Sequence, residues 1–183
     1  DSKTSDIAVG CYHLQLPQTY ATFEEASAAA AQYSDGFPAW IDGRYYVRVG
    51  AYLDSTSAQA AQASLGLTGA TVAGTSGAGI SVVKTGTNTV LFQFDSTSGL
   101  YLAVKPGRDD TVKAETYFRG YSYFGAFEYR RNGGDITVVN VLSMDDYLQG
   151  VIVQEMSPSW PLEALKAQTV CARSYAYGKL QAG

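Results

Sequence analysis

Apolar and polar positions follow two different patterns along this chain. Near its start, Val9-Gly10-Cys11-Tyr12 recurs as Val49-Gly50-Ala51-Tyr52, an offset of 40 residues. Each copy ends a strand-like run, and the second run, Tyr45-Tyr46-Val47-Arg48-Val49, is aromatic and β-branched. An alanine-rich helical stretch follows each copy. The first opens at Thr22 as N-cap, with Glu25 completing a capping box, and runs to about Gln32. The second covers about 57–65 and closes at Gly66. Short strands are predicted after each helix, over 37–41 and 70–73, with Asp42-Gly43 as a hairpin turn between the two copies. The pattern predicts two βαβ-type units that form a small sheet with its helices on one face.

Gly74-Thr75-Ser76-Gly77-Ala78-Gly79 reads as a flexible break, and after Lys84 the pattern becomes β-rich. Strands are predicted over 89–94, 100–104, 116–119, 124–131 and 135–141, with Asn132-Gly133-Gly134 as a tight hairpin joining the last two. Helices return only at the end. Ser143 reads as an N-cap, with Asp145 and Asp146 suited to the positive helix start, and that helix runs to about Glu155. Trp160-Pro161 opens another, with Pro at its first position. Leu162, Leu165, Ala172 and Ala176 mark one apolar face of it. Ala164, Ala167 and Cys171 form a small-residue face beside that one. The predicted class is α+β. A small ferredoxin-like βαβ-repeat sheet domain spans 1–85, and a β-rich segment ending in two helices spans 86–183.

Composition narrows the function. The chain has 183 residues, 46% hydrophobic and only 16% charged, with a net charge of −4 and 14 tyrosines. That is ample for a core and unlike a disordered chain. The negative balance and the lack of a Lys/Arg run argue against nucleic acid. A sparsely charged polymer suits a Tyr- and Gly-rich surface better. No stretch approaches the roughly 20 apolar residues of a membrane span. The single histidine, His13, leaves no room for a histidine-rich metal site or a visible catalytic triad. Cys11 and Cys171 are expected to be buried as small apolar residues rather than bridged.

Glu155 is the candidate acid. Leu148, Val151 and Ile152 lie seven, four and three residues before it, which puts its carboxylate on the apolar stripe of the predicted helix. A carboxyl group against apolar surface tends to keep its proton and to serve as a general acid. The plain alternative is a helix-end glutamate that reaches solvent. Asp145 and Asp146, at the opposite end of the helix, read as capping residues and not as a second catalytic acid.

The string from Val139 to Val151, followed by Gln154-Glu155-Met156, by 159–168 (Ser-Trp-Pro-Leu-Glu-Ala-Leu-Lys-Ala-Gln) and by 172–176 (Ala-Arg-Ser-Tyr-Ala), resembles the stage II sporulation protein D / amidase-enhancer family. The resemblance spans about 117–178. It departs from the family at Val153, Ser157 and Cys171, where Pro, Pro and Ala are common. Less specifically, the run 46–52 resembles the first strand motif of the sporulation-related repeat, a module that binds glycan strands. A generic α+β module is the alternative reading there.

These resemblances imply bacterial peptidoglycan as partner and a cell-envelope location outside the cell. They imply a lytic transglycosylase with Glu155 as its catalytic acid, or alternatively a non-catalytic, glycan-binding enhancer of an N-acetylmuramoyl-L-alanine amidase. A structural scaffold with a dead site is a third reading. Trp160, Lys166, Gln168 and Arg173 would contact the glycan. In the first module Tyr46, Arg48 and Tyr52 alternate along one strand face and would do the same, although that face equally suits packing on the next domain. The plainer readings are a core aromatic for Trp160, a solvated helix face for Lys166 and Gln168, and a solvated, structural or Glu155-paired cation for Arg173. The family domain extends past the equivalent of Gly183, and some members hold a metal in that part. The chain is therefore expected to be a fragment, inactive alone, with no cofactor of its own.

Overall fold

Strand β1 (Tyr12–Tyr20) sends Leu14 to one face of a sheet, and β3 (Arg44–Tyr52) sends Val47 and Val49 to the same face. Ala30 of helix α1 (Phe23–Ala30) and Ala58 of α2 (Ser55–Ser64) meet them there. Alanine at these contacts lets both helices lie close on the sheet. Thr22 and Glu25 form the expected capping box, and Asp54 caps α2 by accepting from the Ser57 N–H at 2.7 Å. With β2 (Gly36–Ile41) and β4 (Thr71–Gly74), the order along the sheet is β4-β1-β3-β2. Every neighbouring pair in it is antiparallel. Asp42 and Gly43, both at positive φ, make the two-residue turn between β2 and β3.

This is a computed structural model, and it describes residues 8–107, 115–132 and 134–182. It divides into two units. The first comprises 1–102 and 129–138, and the second 103–128 and 139–183. The sheet does not end near residue 85. Strand β6 (Val90–Asp95) adds in parallel to β2, and β5 (Ile80–Val83) adds to β6, giving β4-β1-β3-β2-β6-β5. Nor are residues 74–79 a free break. The Ser76 N–H donates to Asp95 at 2.8 Å, and its hydroxyl donates to the same buried carboxylate, so the segment is tied to β6.

The alternation expected along β3 holds only in part. Tyr46 and Arg48 share a face, but Tyr52 packs on the helix side, against the Leu14 cluster. The cause is a bulge: Tyr12 faces Tyr52 while Leu14 faces Val49, so β3 carries an extra residue there. Gly50 sits in it at φ +70°, and a Cβ at that position would lie 2.4 Å from the Tyr52 hydroxyl.

On the face away from the helices, His13, Gln15, Arg48 and Gln93 form a polar layer beside Phe37. His13 is 0% exposed. Gln93 donates to its Nε2 at 2.9 Å, which leaves Nδ1–H to donate to the Gly50 carbonyl at 2.7 Å. Burial lowers the His13 pKa to about 4. Arg48 donates to Gln15 at 2.8 Å and also to Gln93. Its pKa falls to about 10 by burial, against the opposing charge of Asp95.

In the second unit, β8 (Glu115–Phe118) and β9 (Tyr121–Phe124) make a hairpin through Arg119-Gly120. A separate sheet, not confined to that unit, is formed by β7 (Leu102–Val104), β10 (Ala126–Asn132) and β11 (Asp135–Val141) in the order β11-β10-β7. Gly133, in the predicted 132–134 hairpin, lies outside the described residues. Helices α3 (Met144–Glu155) and α4 (Leu162–Gln181) follow. Leu148 of α3 is buried, whereas α4 has no buried residue. The half-buried face of α4 carries Ala164, Leu165, Gln168, Thr169, Ala172 and Ala176. Leu162, Ala167 and Cys171 lie outside it, so the predicted faces are rotated. Both cysteines are free and exposed rather than buried. No helix among the described residues is long and apolar enough to cross a membrane.

Candidate functional site

Ser143 starts the site. Its hydroxyl accepts from the Asp146 N–H at 3.1 Å and fixes where α3 begins. Twelve residues later the helix ends on Glu155. Met156 is extended, at φ −137° and ψ 144°, and Ser157-Pro158 cannot continue the helix. The connection is ordered by its serines. The Ser157 and Ser159 hydroxyls are 2.8 Å apart, and the Trp160 N–H donates to the Ser157 carbonyl at 3.1 Å. Pro161 then precedes the first residue of α4, and its carbonyl accepts from the Ala164 N–H at 2.9 Å. Pro161 is thus the N-cap, and α4 begins at Leu162, one position after the predicted helix start.

This hairpin brings Glu155 and Gln168 together. Gln168 Nε2 donates to Glu155 Oε2 at 2.5 Å. The predicted stripe is present, with Leu148 buried and Val151 and Ile152 half-buried. Glu155 itself is exposed, because it is the last helical residue and its side chain reaches past the stripe. The burial expected from its spacing is not realised. Its definition comes from one donated hydrogen bond that holds one oxygen of the carboxylate.

The other predicted site residues are placed less centrally. Arg173 pairs with Asp145 at 2.9 Å, not with Glu155. Asp145 therefore does more than favour the helix start, since it ties α3 to α4. Arg173 lies five residues beyond Gln168, about 7.5 Å further along the helix. Both members of the pair line a cleft of about 550 Å³ with Leu148, Ile152 and Thr169. Lys166 forms an exposed i, i+3 pair with Glu163 at 2.8 Å on the outer face. Trp160 is 54% exposed, so it is not a core residue.

In the first unit, Arg48 is only 3% exposed and its guanidinium is committed to Gln15 and Gln93. Tyr46 is half-buried on that face, and Tyr52 is on the other. The alternating triplet does not form a single surface. Among the described residues no three His, Cys, Asp or Glu side chains gather as a metal site.

One feature escaped the sequence pattern. β9 is a strand of its own, and its Tyr121 and Tyr123 line a second cleft in this unit, of about 620 Å³, with Gly150 and Gln154 of α3. The Tyr-Ser-Tyr alternation over 121–123 was the available signal, but Gly120 and Gly125 on either side make the run read as a loop.

An uncharacterized protein of Brachyspira hyodysenteriae is 49% identical over 57 residues, which is 31% of this chain and 16% of the relative. The chain thus accounts for less than a fifth of that relative's length. No solved structure matches. The family model described as SpoIID, stage II sporulation protein, matches residues 132–182. It is this sporulation protein family that the segment carrying Glu155 and Gln168 resembles.

Proposed function

We propose that this chain belongs to a protein that cleaves peptidoglycan glycan strands as a lytic transglycosylase, with Glu155 as its single acid/base. One observation carries the reading: an exposed carboxylate at a helix end, one oxygen held by Gln168, within the segment similar to a sporulation family. Glu155 would protonate the glycosidic oxygen as that bond breaks. The 6-hydroxyl of the muramic acid would then attack the anomeric carbon and return its proton to the same carboxylate. The product is a 1,6-anhydro sugar, and no water is consumed. Hydrolases instead need a second carboxylate at a set separation. Asp145, the nearby acid with a resolved partner, is committed to Arg173.

Arg173, Lys166 and Trp160 remain proposed glycan contacts, with Arg173 best placed because it lines a cleft beside α3. The first unit, with its β1-α1-β2-β3-α2-β4 succession and β4-β1-β3-β2 order, supports a ferredoxin-like module of the sporulation-related repeat type. Any glycan contact there would fall to Tyr46 rather than to Arg48. These roles place the protein at the cell envelope. The test is product analysis after incubating the intact protein with glycan strands stripped of peptides. Anhydro-muramyl ends support the reading. Stimulation of an amidase without such ends favours the enhancer reading instead.

A further inference from the structure

The cleft between β9 and α3 contains a glycine that the fold does not explain. Gly150 lies inside α3, where alanine is preferred by about 1 kcal/mol. Its φ is not positive, and a Cβ added there would meet nothing within 4 Å. Neither backbone conformation nor packing calls for glycine at this position. The open space above it leaves room for a ligand to approach the helix backbone closely.

The rest of the cleft indicates what kind of ligand. Tyr121 and Tyr123, two residues apart, are on the same face of β9, and both line the cleft. Tyr121 is 69% exposed, a large aromatic left in water. Tyr123 is braced by the buried Phe127, edge to face with centroids 5.5 Å apart. Ser122 and Gln154 add a hydroxyl and an amide at the rim. Asp146 also lines the cleft, and among the described residues no Lys, Arg or His does, so a phosphate or carboxylate is disfavoured there. Aromatic rings, hydrogen-bonding groups that include the Asp146 carboxylate, and open space over a bare helix backbone together suit an uncharged sugar ring.

We propose that this cleft is a subsite for an uncharged N-acetylhexosamine of the glycan strand, seated over Gly150 and stacked on Tyr121 and Tyr123. The proposal rests on the reading that the protein acts on glycan. It adds a binding position separate from the Glu155 carboxylate, one that Gln154 places along the same helix end.

The test is titration of chitotetraose, an uncharged four-sugar probe, into the 183-residue chain. Affinity is read by calorimetry and ring contacts by saturation-transfer NMR, with thermal melts alongside. Gly150→Ala is expected to raise the melting temperature yet weaken binding at least threefold. Gly150→Leu and Tyr121→Ala are expected to weaken it about tenfold or more. A glycine or tyrosine with only a structural role predicts unchanged affinity. Binding by Gly150→Leu and Tyr121→Ala equal to wild type, or no binding by wild type, overturns the proposal. The readout does not depend on turnover. If these losses appear while anhydro products do not, the subsite stands and the catalytic reading falls. The opposite pair of results removes the subsite alone.

Discussion

Gln168 donates its side-chain amide to the Glu155 carboxylate from the facing helix, 2.5 Å away. The two residues are 13 positions apart, and the turn through Ser157 and Pro161 brings them together. A second link, Arg173 to Asp145, ties α3 and α4 again at 2.9 Å. The hairpin is thus fixed at two polar points, only one of which touches the candidate acid. An exposed carboxylate on a frayed helix end would sample many orientations. Donation from a half-buried glutamine restricts them, and a proton-transfer group needs that restriction.

Gln168→Leu therefore separates positioning from folding. A hydrogen bond to a charged group contributes about 1.5–3 kcal/mol, so lytic activity should fall about tenfold or more. The melting temperature should hardly move, because the bond is exposed. Gln168→Asn, with its shorter reach, should behave like Gln168→Leu, and Gln168→Glu should be worse through like charge. A Gln168→Leu protein with wild-type kcat would show that Glu155 needs no such support.

The buried His13 makes the first unit sensitive to acid. Its folded pKa is about 4 against 6.5 for the free side chain. Between those values the unfolded chain takes up a proton that the folded chain does not, so stability falls as pH falls. It should be full above pH 6.5 and lost progressively down to about pH 4, by about 3 kcal/mol in all. Protonation at Nε2 would also break the bond donated by Gln93. Asp42 and Asp54 act in a lower window. The Thr97 N–H holds Asp42 below its usual 3.8, and the Ser57 N–H does the same for Asp54. Their contribution is present above 3.8 and is lost as pH falls through their lowered values. Urea titrations from pH 7 to pH 4.5 should show the His13 slope, and His13→Gln should abolish it.

Gly50→Ala tests the bulge. Alanine would have to adopt φ +70° with its Cβ 2.4 Å from the Tyr52 hydroxyl. A destabilisation of about 1–3 kcal/mol is expected from the backbone strain. Chemical denaturation followed by circular dichroism measures it. A neutral result would mean that β3 can lose the bulge and return Tyr52 to the face of Arg48.

Much of the fold was legible because its signals are local. The Thr22–Glu25 capping box, the Asp42-Gly43 turn and the Ser143 cap each depend on residues within four positions of one another. The failures come from contacts distant in sequence. Asp95 ties Ser76 to β6, so the glycine-rich 74–79 segment is not the flexible break its composition suggests. Gly50 reverses the side-chain alternation after Arg48 through a bulge that periodicity cannot reveal. At the site, the spacing of Leu148, Val151 and Ile152 correctly located the stripe. It could not show that Glu155, at the helix end, would reach solvent and be met there by Gln168. The expectation that Arg48 contacts glycan misses its burial, because the Gln15 and Gln93 that surround it lie 33 and 45 residues away.

The most direct measurement is the rate at which the intact protein releases anhydro-muramyl ends from peptide-free glycan strands, compared with its Glu155→Gln variant. General acid–base catalysis typically contributes about 10²–10⁴-fold. The account predicts a loss of at least about 10²-fold, with the melting temperature unchanged because the side chain is exposed. A Glu155→Gln protein that still forms those ends at a rate near wild type would contradict it.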